Sequence, residues 1–348
     1  MANNYVKEKY IENVNLLNNV KSQLPSFCNE FFLGIESMTT ILTRLNYARD
    51  ILTFFNFLVT EVAEFVDKEV KNLELTDLDK LTLFHIELYL NYLSLYTKND
   101  IQLTNTEVTK SRKISSVRSM LKYFYRKGEI KENIGDKIVM PKIREKEIIR
   151  LDNQEINDLL DLVESGSELS KTQKIFHEKS YKRDVTIITL MLGTGIRVSE
   201  CVGLNINDIN LSQKAFTVTR KGGKRSILYF SDEIKDLLED YLNYRLQLNV
   251  NDDALFLSRQ NKRIGVRGVE KLVQKYASIT TPLKHITPHK LRSTYGTNLY
   301  RETNDIYVVA QVLGHSDVNT TKKHYAAIDE DIKKEASNKV LVRKKDNE

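Results

Sequence analysis

Four short stretches in the second half of the chain carry side chains suited to phosphate chemistry: GTGIRVSE at 193–200, RKGGKR at 220–225, HKLR at 289–292 and LGHSDVNTTKKHY at 313–325. Singly, each has an ordinary explanation. Arg197 can pair with Glu200 at a surface, Lys221 and Lys224 can be solvated turn lysines, His289 can belong to a helix start after Thr287-Pro288, and Tyr325 is one of 17 tyrosines. Together they form a set with one chemical use. A phosphodiester repels nucleophiles, and attack adds charge to its non-bridging oxygens, so a metal-free site must supply fixed cations and donors. Arginine binds phosphate oxygens through a planar fork and keeps its charge, which makes Arg197 and Arg292 candidates. Histidines donate to the same oxygens or shuttle a proton near neutrality, as His289 and His315 could. A departing 5′-oxygen needs a proton, which a turn lysine can deliver. A tyrosine hydroxyl, with a free pKa of about 10, can attack once surrounding cations stabilise its anion.

The elements that must position these groups are mostly helical. Prolines are limited to Pro25, Pro141, Pro282 and Pro288, so long helices are free to form. Over 39–58, Ile41, Leu45, Ala48, Leu52 and Phe55 mark one apolar helical face. A second helix is expected over 81–96 with Leu83, Ile86, Leu90 and Leu93 inward. A third is expected from Thr106 to Lys127, ending at Gly128, with Ile114, Val117, Leu121 and Phe124 buried. Its other faces carry Lys110, Arg112, Lys113, Arg118 and Lys122, which suit either a solvated face or a phosphate-tracking surface. The charge-rich, aperiodic stretch 129–152 reads as a linker, after which Asn153 caps a helix holding Ile156, Leu159, Leu160 and Val163. An apolar helix over 183–192 runs into Gly193-Thr194-Gly195. The period then changes: 215–220 and 225–230 are short β-type runs joined by Lys221-Gly222-Gly223-Lys224, a hairpin turn. From 231 the helical pattern returns.

From about 105 to 335 the chain resembles the tyrosine recombinases, which include phage integrases, integrases of bacterial mobile elements and the Xer recombinases. GTGIRVSE is similar to the family's first arginine box, which places that role on Arg197. Lys221, 24 residues later, matches the family's hairpin lysine, with Lys224 the weaker claimant. HKLR is similar to the H-x-x-R box, which assigns His289 and Arg292, and LGH assigns His315. The tyrosine box gives Tyr325 as nucleophile, ahead of the nearest other tyrosine, Tyr307. The histidine-to-tyrosine gap is ten residues here where nine is the family's usual spacing, and one extra residue on a helix turns the next side chain by about 100°. No role falls to His324.

The resemblance implies a mainly α fold with a small β-hairpin or sheet in the C-terminal domain: a two-domain DNA clamp of helical core-binding domain and α+β catalytic domain. The expected divisions are a helical extension at 1–36, a core-binding domain at 37–130, a linker at 131–152, the catalytic domain at 153–335 and a tail at 336–348. It makes Lys110, Arg112, Lys113, Lys122 and Lys224 candidates for DNA contact. It also implies site-specific recombination through a 3′-phosphotyrosyl bond and a Holliday junction, without ATP, metal or other cofactor. The implied partners are double-stranded DNA recombination sites, a homotetramer on two sites whose tails dock on neighbouring protomers, and an accessory directionality factor, with no membrane. The alternatives are a type IB topoisomerase-like activity, which needs no partner site, a non-catalytic DNA-binding protein on the same scaffold, which needs no tyrosine, and a helical interaction protein.

Composition sets outer bounds. The chain has 348 residues with 29% charged and 41% hydrophobic, a soluble globular balance, and no run of eighteen apolar residues. Its net charge of +6 favours a polyanionic partner only mildly. Two cysteines, Cys28 and Cys201, make no disulfide framework, and with no apolar leader the expected location is the reducing cytoplasm. His285 and His289 lack the HExxH pattern that would suggest zinc.

Overall fold

The computed structural model describes residues 4–98, 100–143, 149–220, 223–248, 250–314 and 318. The chain divides into two compact units, Met1–Lys146 and Glu147–Glu348.

The first unit comprises α1 (Asn4–Lys21), α2 (Cys28–Gly34), α3 (Ile41–Glu61), α4 (Leu83–Tyr92), the antiparallel pair β1 (Tyr96–Lys98) and β2 (Ile101–Leu103), and α5 (Glu107–Arg126). Thr40 and Thr106 start α3 and α5 by accepting the backbone N–H of Thr43 and Thr109. The apolar spacing of α5 translates directly into burial: Ile114, Val117, Leu121 and Phe124 are all at 0% exposure. α3 answers with Leu45, Ala48, Ile51, Phe54, Phe55 and Leu58, all buried. The rings of Phe55 and Phe124 meet Phe27 edge-on, the arrangement their quadrupoles favour. On α4 the buried line is Ile86, Tyr89 and Leu93, while Leu83 is 37% exposed and Leu90 half-buried. The expected line is rotated because the Tyr89 ring, packed on Phe54 and Phe57, removes more apolar area from water than a leucine would.

Residues before 37 have a structural purpose that their sequence did not announce. α1 packs on α3 and α2 on α5, which places Leu17, Leu24, Phe31, Phe32 and Ile35 in the same core. Ile130, Ile134 and Ile138 join it through a short 3-10 turn, Ile134–Lys137.

The second unit contains α6 (Asn153–Ser165), α7 (Lys171–His177), α8 (Tyr181–Thr194), α9 (Val198–Gly203), β3 (Ile209–Asn210), β4 (Ala215–Thr219), β5 (Arg225–Tyr229), α10 (Asp232–Gln247), α11 (Val266–Thr280), α12 (Pro288–Thr303) and α13 (Ile306–Leu313). α6 is capped by Asp152 rather than Asn153. The Asp152 carboxylate accepts the Glu155 N–H at 2.9 Å, and Glu155 reaches back to the Asp152 N–H at 2.8 Å, a reciprocal pair available to a carboxylate one residue earlier. α8 is the centre. Val185, Ile187, Ile188, Leu190 and Met191 are all buried, and α6, α10, α11 and α12 pack around the helix. Every residue from Asp184 to Met191 is buried, which puts this stretch of the helix inside the core. The sheet runs β3-β4-β5, all antiparallel, with Ala215 opposite Tyr229 and Thr219 opposite Arg225. Phe216, Val218 and Leu228 face inward, while Ile227 and Tyr229 are exposed, which is the period-2 alternation of a one-sided sheet.

Cys28 and Cys201 are free and buried, and burial pushes the Cys201 thiol up to about 12. Among the described residues no helix is long and apolar enough to cross a membrane.

Charge also braces the first unit. Burial alone would raise the Asp77 carboxyl pKa, but hydrogen bonds from Lys68 Nζ at 2.7 Å and Lys80 Nζ at 2.8 Å outweigh it and hold the value at about 2. A carboxyl depressed below its ordinary 3.8 contributes stability above that pH, and the contribution is lost as pH falls toward the folded value. Urea midpoints measured from pH 5 down to pH 2 are therefore expected to fall more steeply for the wild type than for Asp77→Asn. Parallel curves would contradict the assignment.

Candidate active site

The turn from α8 to α9 is built by Gly195. It ends α8 in the left-handed region at φ +61°, and a Cβ there would lie 2.4 Å from the Tyr295 ring and 2.8 Å from a Leu313 methyl. That close approach brings α12 and α13 against the start of α9, where Arg197 is the N-cap residue. Glu200, buried at 8% exposure, accepts the Arg197 backbone N–H at 3.0 Å and the Arg197 Nη1 at 2.9 Å. The carboxylate thus holds both ends of the arginine. The Arg197 side chain keeps 35% exposure, so its guanidinium is fixed yet reachable from solvent.

Three guanidinium groups converge on the last three carbonyls of the α13 end. Arg197 Nη2 donates to Gly314 O at 3.0 Å, Arg220 Nη2 to Val312 O at 2.9 Å, and Arg292 Nη2 to Leu313 O. Arg292 Nη1 also donates to Gly195 O, and the residue is 5% exposed. A helix C-terminus leaves these carbonyls without intrahelical partners and carries partial negative charge, so it attracts cations. Burial lowers the Arg220 pKa from its ordinary value; Glu200 opposes this and Arg197 adds to it. Among the described residues Glu200 is the carboxylate paired within this cluster, on Arg197, which leaves a surplus of positive charge suited to an anion. Gly314 belongs to the same construction. It has φ +63°, and a Cβ would sit 1.3 Å from Arg220 Nη1.

Of the residues expected from sequence, Arg197 and Arg292 are therefore brought together. His289 is exposed in the first turn of α12, three residues before Arg292 and so on the same side of that helix. Gly314, which directly precedes His315, is held by Arg197. Lys221, His315, Tyr325 and the unassigned His324 lie outside the described residues. Tyr307, the other tyrosine considered, is 70% exposed at the start of α13. Arg220 was in a quoted motif but had no role, because adjacency to a turn lysine gives no sign of where its own side chain reaches.

The basic face of α5 is less uniform than its sequence. Arg112 is paired with Asp50, which is 2% exposed and also accepts Ser116 Oγ at 2.9 Å. Burial raises the Asp50 pKa, with Arg112 and Ser116 opposing. Lys113 is 7% exposed, its Nζ 5.6 Å from the Tyr96 ring centroid, so it is not presented to solvent. Lys110 pairs with Glu107 at 2.9 Å. Lys122 is exposed, as is Lys224 in the other unit.

Residues 149–331 match the phage integrase family. The tyrosine recombinase XerC of Caldanaerobacter subterraneus subsp. tengcongensis is 32% identical over 303 residues, 84% of this chain and 80% of its own length. The tyrosine recombinase XerS of Lactococcus lactis subsp. cremoris is 31% identical across 94% of this chain and 98% of its own. The chain belongs to the phage integrase family. It is a tyrosine recombinase, an enzyme of site-specific DNA recombination. Two solved structures share the fold. XerH recombinase bound to palindromic difH substrate aligns with TM-score 0.62 and 20% identity, over 85% of this chain and 80% of its own. The Tn1549 transposon integrase in complex with circular intermediate DNA aligns with TM-score 0.62 and 15% identity, over 86% and 95%. The topoisomerase-like and binding-only alternatives are not favoured by these likenesses.

In this recombinase the glycine at 314 is a steric requirement of the arginine cluster. Gly314→Ala is expected to lose about 1–2 kcal/mol from the left-handed backbone alone, and more from displacing Arg220. A urea midpoint equal to that of the wild type would contradict the contact.

Proposed function

We propose that the recombinase cuts one DNA strand at a time by attack of Tyr325 on a backbone phosphate. The tyrosine O–P bond forms, the P–O5′ bond breaks, and a 3′-phosphotyrosyl ester retains the energy of the broken bond. Lys221 gives its proton to the departing 5′-oxygen, and the phenolic proton passes to the histidine pair, His289 and His315. Arg197 and Arg292 neutralise the non-bridging oxygens. The 5′-hydroxyl of a partner duplex then attacks the ester, and two rounds through a Holliday junction complete the exchange. The observation that carries this reading is the convergence of Arg197, Arg220 and Arg292 beside the residue that precedes His315. Fixed guanidinium charge gathered in this way can neutralise the charge that develops on a phosphate under attack.

The remaining features of the proposal rest on the family resemblance: a homotetramer holding two double-stranded sites, tails docked between protomers, an accessory directionality factor, and a cytoplasmic setting. On a nicked suicide duplex, Tyr325→Phe is expected to bind but yield no covalent adduct on a denaturing gel. An adduct in that variant would overturn the nucleophile assignment. Arg197→Ala and Arg292→Ala are each expected to slow adduct formation on the order of 10²–10³-fold.

DNA contact by α5 falls on its exposed cations. Lys122→Ala is expected to weaken binding to specific and unrelated duplexes alike, and to reduce the slope of log K against log salt by about one. Lys113→Ala should leave that slope unchanged and lower the urea midpoint instead. The reverse pattern would place the phosphate contact on Lys113.

A further inference from the structure

The turn that follows β4 closes on Arg220. Its backbone N–H donates to Lys224 O at 2.8 Å, and its carbonyl accepts the Gly223 N–H at 3.0 Å. Gly223 and Lys224 are exposed, and a Cβ built on Gly223 would meet nothing within 4 Å. The side chain of Arg220 does the opposite. It leaves the hairpin, becomes half-buried, and donates to Val312 O on α13 at 2.9 Å, with Nη1 pressed against Gly314 where a Cβ would lie 1.3 Å away. One residue therefore belongs to the turn by its backbone and to the α13 end by its side chain. Arg197 and Arg292 hold the same α13 end, so Arg220 ties the turn to the arginine cluster itself.

We propose that Arg220 is a positioning residue for the strand-cleavage step: it anchors the base of the lysine-bearing turn to the arginine cluster, so that Lys221 is delivered to the 5′-oxygen as the P–O5′ bond breaks. The inference rests on the reading of Lys221 as the proton donor. Its physical basis is pre-organisation. A lysine ammonium on a long flexible stem loses much conformational freedom on reaching one geometry, and a fixed backbone one residue away lowers that cost. A misplacement near 1 Å costs on the order of 10²-fold in rate. Arg220 spends Nη2 on Val312 O, and the positioning role works through that anchor rather than through a contact with the phosphate.

The test separates proton delivery from phosphate binding by changing the leaving group. Single-turnover cleavage is measured with the full-length protein on a suicide duplex carrying either the ordinary phosphodiester or a 5′-bridging phosphorothiolate, whose sulfur departs as a thiolate without needing a proton. Arg220→Ala, assayed with protein saturating over the duplex so that any change in affinity drops out, is expected to cleave ordinary DNA on the order of 10²-fold more slowly, and to return to near the wild-type rate on the sulfur substrate. Arg220→Lys should recover part of the rate on ordinary DNA. Arg220→Met, which retains an apolar stem, takes the place of the alanine variant if that variant does not fold. Lys221→Ala, run in parallel, should also recover on sulfur. If Lys221→Ala recovers and the Arg220 variants stay slow on sulfur, or if they cleave ordinary DNA at the wild-type rate, Arg220 does not position the lysine. If Lys221→Ala itself fails to recover, the proton-donor reading falls, and the Arg220 inference falls with it.

Discussion

Three guanidinium groups gathered around one helix end repel one another, and the site depends on how that repulsion is contained. Arg197, Arg220 and Arg292 come from the N-cap of α9, the residue after β4 and the second turn of α12, and each spends a donor on a different carbonyl of 312–314. Those carbonyls have no partners within α13 and sit at its negative end, so the helix supplies what the cations need. Among the described residues Glu200 adds a formal negative charge to the cluster, from a buried position and with both oxygens engaged on Arg197. Among the described residues the cluster keeps more positive than negative charge, and Arg220 Nε is buried without a hydrogen-bond partner. A phosphate entering such a site meets cations already fixed, and no reorganisation is required as charge develops on its oxygens.

The scaffold follows from that requirement. α8 is buried at every residue from Asp184 to Met191, and α6, α10, α11 and α12 are placed around it. Its left-handed glycine end turns the chain sharply enough for Arg197 to emerge beside Leu313, and the same glycine leaves room for Tyr295 and Leu313 to approach. The first unit solves a different problem. α5 buries one stripe completely while leaving Lys122, Tyr125 and Arg126 exposed, so a single helix serves both as core and as basic surface. Part of its apparent positive charge is spent internally, on Asp50 and on the Tyr96 ring.

The amino-acid sequence by itself determined the features governed by short-range periodicity and by residue chemistry. The spacing of Ile114, Val117, Leu121 and Phe124 specifies a helix face whatever it packs against, because 3.6 residues make a turn. Glycines between two β-type runs specify a hairpin because they accept positive φ. Arginines, histidines and a tyrosine in the GTGIRVSE, HKLR and LGHSDVNTTKKHY stretches point to phosphate chemistry because few other reactions use that set. Only the tertiary structure decided what depends on contacts between distant segments. Arg220 reaches a carbonyl 92 positions away. Lys113 turns inward onto Tyr96 while Lys122 on the same helix stays in water. Asp152 rather than Asn153 caps α6, Tyr89 displaces Leu90 from the core, and the first two helices become part of a core they did not advertise. Local pattern states which groups a segment offers. Which offers are taken up is set by desolvation, by volume and by the distances that folding creates between parts of the chain that are far apart in sequence.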